Sequence, residues 1–366
     1  MIFPISFGRR ASLSSRARVL KGQMLEDEFF WSLLFKCHSM SEIALQLQKS
    51  SSYGSYLQKT DPSKVHRFQL ESILSLVPLR ESGKFRFLAG TTRWKVIEEW
   101  KGLYETDLLK KIIRHVYSGK EQGSQVLEER IDMIGDISYP GRELLQCRNI
   151  EEILPVLEKT PYYEVLKGPL ENKDSGTDTL FPVEMAIDNY KLCEIFSSTE
   201  RLKGREKKVL ADLYGTRADL FNLYWLYRSR RFYRMSPEEM ISRILPFRRH
   251  LGKKELRKLV FAPDLSSFHS LLGNTWYGKF IEYPENMDQG TVELVLERSI
   301  NRIIYDKARR IFLGGVPGVH TAIAYLLLRE YEVKDIITII EDVRYDYSRR
   351  MAVLFLVRKM KAEEAS

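Results

Sequence analysis

One spacing constrains this chain more than any other: Glu71, Glu184 and Glu297 lie 113 residues apart. Each sits in an apolar stretch with helical spacing: Leu70-Glu71-x-x-Leu74, Val183-Glu184-x-x-Ile187 and Leu296-Glu297-x-x-Ile300. A second pattern precedes the glutamate. It reads Ile153-x-x-x-Leu157-x-Lys159-Thr160-Pro161-Tyr162 and returns, shifted by 115, as Phe268-x-x-x-Leu272-x-Asn274-Thr275-Trp276-Tyr277. Its first copy is weaker: Ile43-x-x-x-Leu47-x-Lys49, then a serine run that ends at Tyr53. A third pattern follows the glutamate. Tyr104-Glu105-x-x-x-Leu109-x-x-Ile112-Ile113-Arg114 recurs as Ala218-Asp219-x-x-x-Leu223-x-x-Leu226-Tyr227-Arg228 and Tyr331-Glu332-x-x-x-Ile336-x-x-Ile339-Ile340-Glu341, at shifts of 114 and 113. The fixed order and common period imply three degenerate copies of one unit.

A period of this length suits a single small domain. It is too long for a solenoid repeat of roughly 20–50 residues. The expectation is three similar helical domains, near 1–119, 120–233 and 234–366, with helices at the joints shared between neighbours. Hydrophobic residues make up 44% of the chain, enough for real cores, and charged residues 29%, which fits a helical protein with a solvated surface. Three cysteines, Cys37, Cys147 and Cys193, are far apart and odd in number, which argues against a disulfide framework. The apolar N-terminus is short and has no basic segment ahead of it, so it does not read as a signal peptide. Apolar runs such as 351–357 fall far short of the ~20 residues of a membrane span. The net charge of +9 is compatible with nucleic acid, anionic lipid or an acidic partner protein.

The fold class expected is all-α. Apolar residues recur at helical spacing almost everywhere, as in Leu108-Leu109-x-x-Ile112-Ile113. Ser236-Pro237-Glu238-Glu239 carries a capping serine, a proline at the first helical position and a glutamate three residues on. Ser41-Glu42 and Asp264-Leu265-Ser266 offer similar starts. Loops are expected at 121–124, 172–179, 283–290 and 314–318.

Catalytic constellations are absent. There is no phosphate-binding glycine loop of either common type, and Gly314-Gly315-Val316-Pro317-Gly318 reads as a turn between helices. The six histidines are scattered at no ligand spacing, so neither a metal nor a cofactor is expected. Two readings of Glu71, Glu184 and Glu297 stand side by side: a ring of three acids around a cavity, or helix acids each paired with a base of its own copy. The second is favoured because an unpaired buried carboxylate is costly. The candidate bases are Arg114 and Arg228, with Glu341 at the third position. Tyr224-Trp225-Leu226-Tyr227-Arg228-Ser229-Arg230-Arg231-Phe232-Tyr233-Arg234 is the densest aromatic and basic stretch. Its arginines, Arg228, Arg230, Arg231 and Arg234, are candidates for a partner-facing surface. A basic run at 248–254 reads as the positive end of the helix begun at Ser236-Pro237.

Taken in order, these residues resemble the C-type subunit of bacterial and archaeal V/A-type ATPases (ATP synthases), the counterpart of the d-type subunit of vacuolar ATPases. The stretch from Asp219 through Asn222-Leu223-Tyr224 to Arg228, then Tyr233-x-Met235-Ser236-Pro237-Glu238-Glu239, looks like the family's signature. Ser15-Arg16-Ala17-Arg18-Val19-Leu20-Lys21 resembles the family's N-terminal Arg-rich helix. Glu151-Glu152-Ile153 to Thr160-Pro161-Tyr162-Tyr163, Glu184-x-x-x-Asp188-x-Tyr190, and Ala324-Tyr325-Leu326 to Ile340 resemble further elements. The chain departs from the pattern near Phe7 to Ser12. It also carries Leu108 where the second copy has Asn222 and the third Asp335.

The resemblance implies an all-helical funnel with pseudo-three-fold symmetry. It implies a non-catalytic socket that takes the shaft subunits (D and F type) on one side and the membrane rotor ring on the other. The implied setting is the cytoplasmic face of a membrane, with peripheral membrane contact and neither nucleic acid nor a small-molecule substrate. The alternative, resting on charge and the Arg/aromatic stretch alone, is a basic helical nucleic-acid-binding protein. An enzyme reading has only the repeated acids behind it.

Overall fold

The computed structural model describes residues 5–119, 123–171, 179–233, 235–281, 289–345 and 349–359. Among these residues every regular element is a helix. In chain order, the helices of six residues or more begin with α1 (Ile5–Lys21), α2 (Asp27–Lys36), α3 (Met40–Lys49), α4 (Arg67–Ser75) and α5 (Val77–Ser82). Next come α6 (Arg86–Ser118), α7 (Ser124–Ile134), α8 (Tyr162–Glu171), α9 (Phe181–Glu200) and α10 (Gly204–Arg228). The last are α11 (Pro237–Ser242), α12 (Lys253–Val260), α13 (Leu265–Gly273), α14 (Gln289–Leu313), α15 (Val319–Tyr345) and α16 (Arg349–Phe355).

Helix starts follow their capping residues. Before α11, the Ser236 hydroxyl accepts the Glu239 N–H at 3.3 Å, and the Glu239 carboxylate accepts the Ser236 N–H at 2.9 Å. The Asp264 carboxylate accepts the Ser267 N–H at 2.7 Å at the start of α13. The start expected at Ser41-Glu42 moves back two residues. Ser39 is the N-cap of α3, and its hydroxyl accepts the Glu42 N–H at 3.2 Å.

The basic run at 248–254 is not the end of the helix begun at Pro237, because α11 stops at Ser242. Asn222 takes the Leu245 N–H at 3.0 Å, and Pro246 has no N–H to carry the helix on.

The turn at 314–318 joins α14 to α15, with Gly315 at φ 73°. Positions 121–122, 172–178 and 283–288 of the expected loops lie outside the described residues. Position 179 and Gly123 are non-helical as expected, whereas Ser124 belongs to α7, and Gln289 and Gly290 belong to α14.

Residue contacts divide the chain into two compact units, Met1–Gly90 with Gly273–Ser366, and Thr91–Leu272. The boundary falls inside α6 at Gly90, whose φ of 67° breaks the helical path. The left-handed backbone disfavours a side chain there, and a Cβ, 2.6 Å from the Arg9 Nη1 atom, would require the flexible end of Arg9 to shift.

The first unit builds one core from both ends of the sequence. Ile43, Leu47, Leu70 and Leu74 bury themselves with Ile336, Ile339, Ile340 and Leu356. The second unit repeats the recipe with contiguous chain: Ile153, Leu157, Val183 and Ile187 pack with Leu109, Ile112 and Ile113. These are matching positions of the three sequence patterns. In both cores the third pattern of one copy packs against the second pattern and glutamate helix of the next copy. Full burial of each such side chain is worth about 1.5–3 kcal/mol, so position-by-position agreement of this extent fixes the register.

Candidate functional site

The third pattern carries an acid at its second position in every copy: Glu105, Asp219 and Glu332. Each carboxylate is an acceptor for backbone N–H groups of a distant loop. Glu105 takes the Ser138 N–H at 3.0 Å. Asp219 takes three in a row, Arg249 at 3.0 Å, His250 at 2.7 Å and Leu251 at 3.2 Å. Glu332 takes the Leu25 N–H at 2.9 Å. Leu25, Ser138 and Leu251 are themselves 113 residues apart. The tyrosine that ends the second pattern joins the same acid in two copies: Tyr53 donates to Glu332 at 2.9 Å and Tyr162 to Glu105 at 3.2 Å. A carboxylate holding N–H and O–H donors is a fastener, since ionised oxygens accept only.

Three residues further along, a second anchor follows the first. Asp335 accepts the N–H groups of Val357 at 2.6 Å and Arg358 at 3.1 Å. Asn222 accepts the Leu245 N–H and donates to the Leu245 carbonyl at 3.4 Å. The first copy has Leu108 there, buried in an apolar core that also contains Ile131. The drift noticed in the sequence is thus a change from hydrogen bonding to packing at one position.

In the first unit the fastener is embedded in buried charge. Arg329 donates to the Glu332 carboxylate and to the Ser52 hydroxyl at 2.7 Å, and lies 3.4 Å from Glu81. Arg358 reaches Asp335 at 3.3 Å and Asp27 at 2.8 Å, and its guanidinium stands 3.5 Å from the centre of the Phe30 ring. Burial raises the pKa of Glu332, against the opposing pull of Arg329 and Arg358. Burial also pushes Asp335 up to about 6, Arg358 again opposing.

The glutamates that gave the period are placed differently. Glu184 is bonded to Arg114, the base of the preceding copy. The pairing with Arg228 of its own copy, expected from the sequence, is therefore replaced by one across copies. Glu71 bonds Arg67 at 2.6 Å, one turn away on α4. Arg67 also bonds Glu341, which occupies the position of Arg114 in the third copy. There the chain has supplied a new base on α4 between two acids. Glu297 lies exposed on α14.

The basic stretch is partly folded into its own unit. α10 ends at Arg228 and continues as one π-helical turn, Ser229–Tyr233. The Arg228 guanidinium lies over the rings of Phe181 at 5.6 Å and Tyr224 at 5.8 Å. Arg230 donates to the Val260 carbonyl. Arg231 stands 5.2 Å from the Phe232 ring, and Phe232 is exposed. Arg234 lies outside the described residues.

Sequence reasoning put its weight on the helix glutamates and passed over the acids beside them. The missed signal was present. An acid occupies the second position of the third pattern in every copy, and the tyrosine that ends the second pattern recurs with it.

The sequence profile of the ATP synthase (C/AC39) subunit family matches residues 13–352. Three curated relatives are named as the C subunit of an A-type ATP synthase. That of Methanothermobacter thermautotrophicus is 24% identical over 353 residues, covering 94% of this chain and 85% of the relative. That of Methanocaldococcus jannaschii is 22% identical over 333 residues, covering 90% and 82%. That of Thermococcus gammatolerans is 25% identical over 350 residues, covering 90% and 84%.

Proposed function

The chain belongs to the ATP synthase (C/AC39) subunit family, and from that premise we propose that it is the non-catalytic rotor subunit that couples the central shaft of a V/A-type ATPase to the membrane rotor ring. In this reading the three sequence copies form a funnel with pseudo-three-fold symmetry. Shaft subunits of the D and F types enter it on one side, and ring subunits meet it on the other. It transmits torque by rigid contact at the cytoplasmic face of the membrane and uses no cofactor. Among the described residues no helix is long and apolar enough to cross a membrane.

The observation that carries the proposal is the register of the acid fasteners. The helix of one copy holds the loop of the next, and the last copy's Glu332 holds Leu25 of the first. The same register, repeated in all three copies, supports reading them as equivalent parts of one socket. In this reading the three domains near 1–119, 120–233 and 234–366 share helices at their joints, since the third pattern of one copy packs with the second pattern of the next.

Within the stretch 228–234, Arg231 and Phe232 are the pair we assign to a partner. Arg228 and Arg230 also hold the helix end. Charge reversal at Arg231 should weaken assembly while thermal unfolding matches the parent, and unchanged assembly would remove this assignment.

The deciding experiment withholds this chain from an otherwise complete complex reconstituted in sealed vesicles. ATP hydrolysis should continue while ATP-driven ion transport stops, and adding the chain back should restore transport. Full transport without it overturns the coupling role.

A further inference from the structure

The N-terminal end of α15 gathers three segments of the first unit. The Gly318 N–H at that end donates to Ser14 of α1 at 2.9 Å. One and a half turns earlier on α1, Arg9 covers Gly90. Phe85, just ahead of α6, meets Tyr325 of α15 edge to face at 6.2 Å. Phe87 and Leu313 therefore stand at the same end of the unit, on the start of α6 and the end of α14. Their exposures, 95% and 70%, are the two highest among large apolar side chains of the described residues. A phenylalanine exposed to that degree protrudes and touches almost nothing of its own chain.

The charges around them are mostly positive. Arg9, Arg86, Arg309 and Arg310 are exposed, and Asp306 is the single acid in the segments 5–21, 83–90 and 306–318. α1 itself carries five basic residues and no acid.

We propose that this end of the first unit docks on an anionic lipid surface, with Phe87 and Leu313 entering the headgroup layer and the arginines Arg9, Arg86, Arg309 and Arg310 meeting lipid phosphates. Isolated protruding side chains set among arginines suit a fluid layer, which needs no matching pocket. A protein partner on this scale calls for a continuous complementary patch. Guanidinium groups pair with phosphate oxygens in a fork, and basic residues near an anionic leaflet each add attraction. The inference deepens the coupling reading by naming the membrane contact of that rotor component. It is tested apart from it, with the isolated chain and no other protein.

The full-length chain is floated with phosphatidylcholine vesicles, and with vesicles that mix phosphatidylcholine with phosphatidylglycerol. It should bind the mixed vesicles, ignore the neutral ones, and detach as salt rises. Phe87→Ala should weaken binding about tenfold, and the pair Arg309→Ala with Arg310→Ala roughly tenfold to thirtyfold. These side chains are exposed, so thermal unfolding of the variants should match the parent. Equal binding to neutral vesicles, binding unmoved by either variant, or no binding at all each overturns the proposal. If vesicles are ignored and Phe87→Ala instead blocks entry into the assembled complex, the tip is a protein anchor and the lipid assignment falls. The coupling reading would survive that result, and it fails only if ion transport does not need the chain.

Discussion

Glu105 and Glu332 hold the same position in the same pattern, and the surroundings built around them differ. Glu105 is partly exposed and fastens Ser138 and Tyr162, which lie a few tens of residues ahead on continuous chain. Leu108, one turn on, needs only an apolar core. Glu332 is buried and fastens Leu25 and Tyr53, which belong to the opposite end of the sequence. Around it stand Arg329, Arg358, Glu81 and Asp335, all buried. Short loops keep Ser138 near Glu105 even in a loosened chain. Nothing local keeps Leu25 near Glu332, and the entropy of bringing distant segments together grows with the loop they close. Dense charge pairing marks the place where the two ends of the sequence meet. It is specific because each member left alone would be an uncompensated buried charge.

The sharpest way to break this comparison is to remove both equivalent acids. Glu332→Ala leaves Arg329 and Arg358 short of a buried partner and should destabilise the first unit by about 3–5 kcal/mol. Glu105→Ala frees the N–H and hydroxyl of exposed Ser138, which water can reach, and strands only the hydroxyl of buried Tyr162, so it should cost about 1–3 kcal/mol. Hydrogen exchange read segment by segment gives each value in its own unit, which global unfolding of a two-unit chain does not. Equal costs for the two substitutions would mean that the charge around Glu332 adds nothing to the fastener.

The second test turns one copy into another. Asn222→Leu copies the first repeat's residue into the second, where Leu245 still presents a buried N–H. An unsatisfied buried donor costs about 1–3 kcal/mol, and exchange around 243–251 should quicken accordingly. No change there would show that the loop is held by packing alone, as at Leu108.

How much of this was legible beforehand follows from where each interaction lies. Most helices, the caps at Ser236 and Asp264 and the turn at 314–318 depend on neighbours within four or five residues, and the sequence displays those. The early stop of α11 involves Asn222, 23 residues from Leu245, and was not displayed. Core positions such as Ile43, Leu157 and Ile339 were legible from periodicity. The pairing Glu184–Arg114 was not, because one copy read alone cannot show that its partner lies in the preceding copy. The same blindness hid the fasteners. Spacing within a copy is visible, whereas the offset by which copies interlock is set by three-dimensional packing. The fate of Arg228 and Arg230 was also hidden, since a basic residue facing a carbonyl or a ring looks in sequence like one facing solvent.

The smallest effect separates the two units by the sign of their response to acid. In the second unit His269 is partly buried beside Tyr227, with ring centres 6.0 Å apart. Burial, with Arg231 adding repulsion, lowers its pKa from 6.5 to about 4. A neutral histidine favoured in the fold contributes stability that is complete above about pH 6.5 and lost as pH falls through about 4. In the first unit the sign is opposite. Asp335, raised by burial from 3.8 to about 6, contributes stability that is complete below about pH 4 and lost as pH rises through about 6. Between those limits acid should loosen the second unit and stabilise the first around Asp335, because relief of its buried charge outweighs the weakened pull of Arg358 and of the Val357 and Arg358 N–H groups. Exchange at two pH values, corrected for intrinsic rates, should therefore move in opposite directions around 265–272 and around 354–358. His269→Gln should abolish the first response and Asp335→Asn the second, each leaving the other in place. Movement of both segments in the same direction would show that acid acts on the chain as a whole and not through these two buried groups.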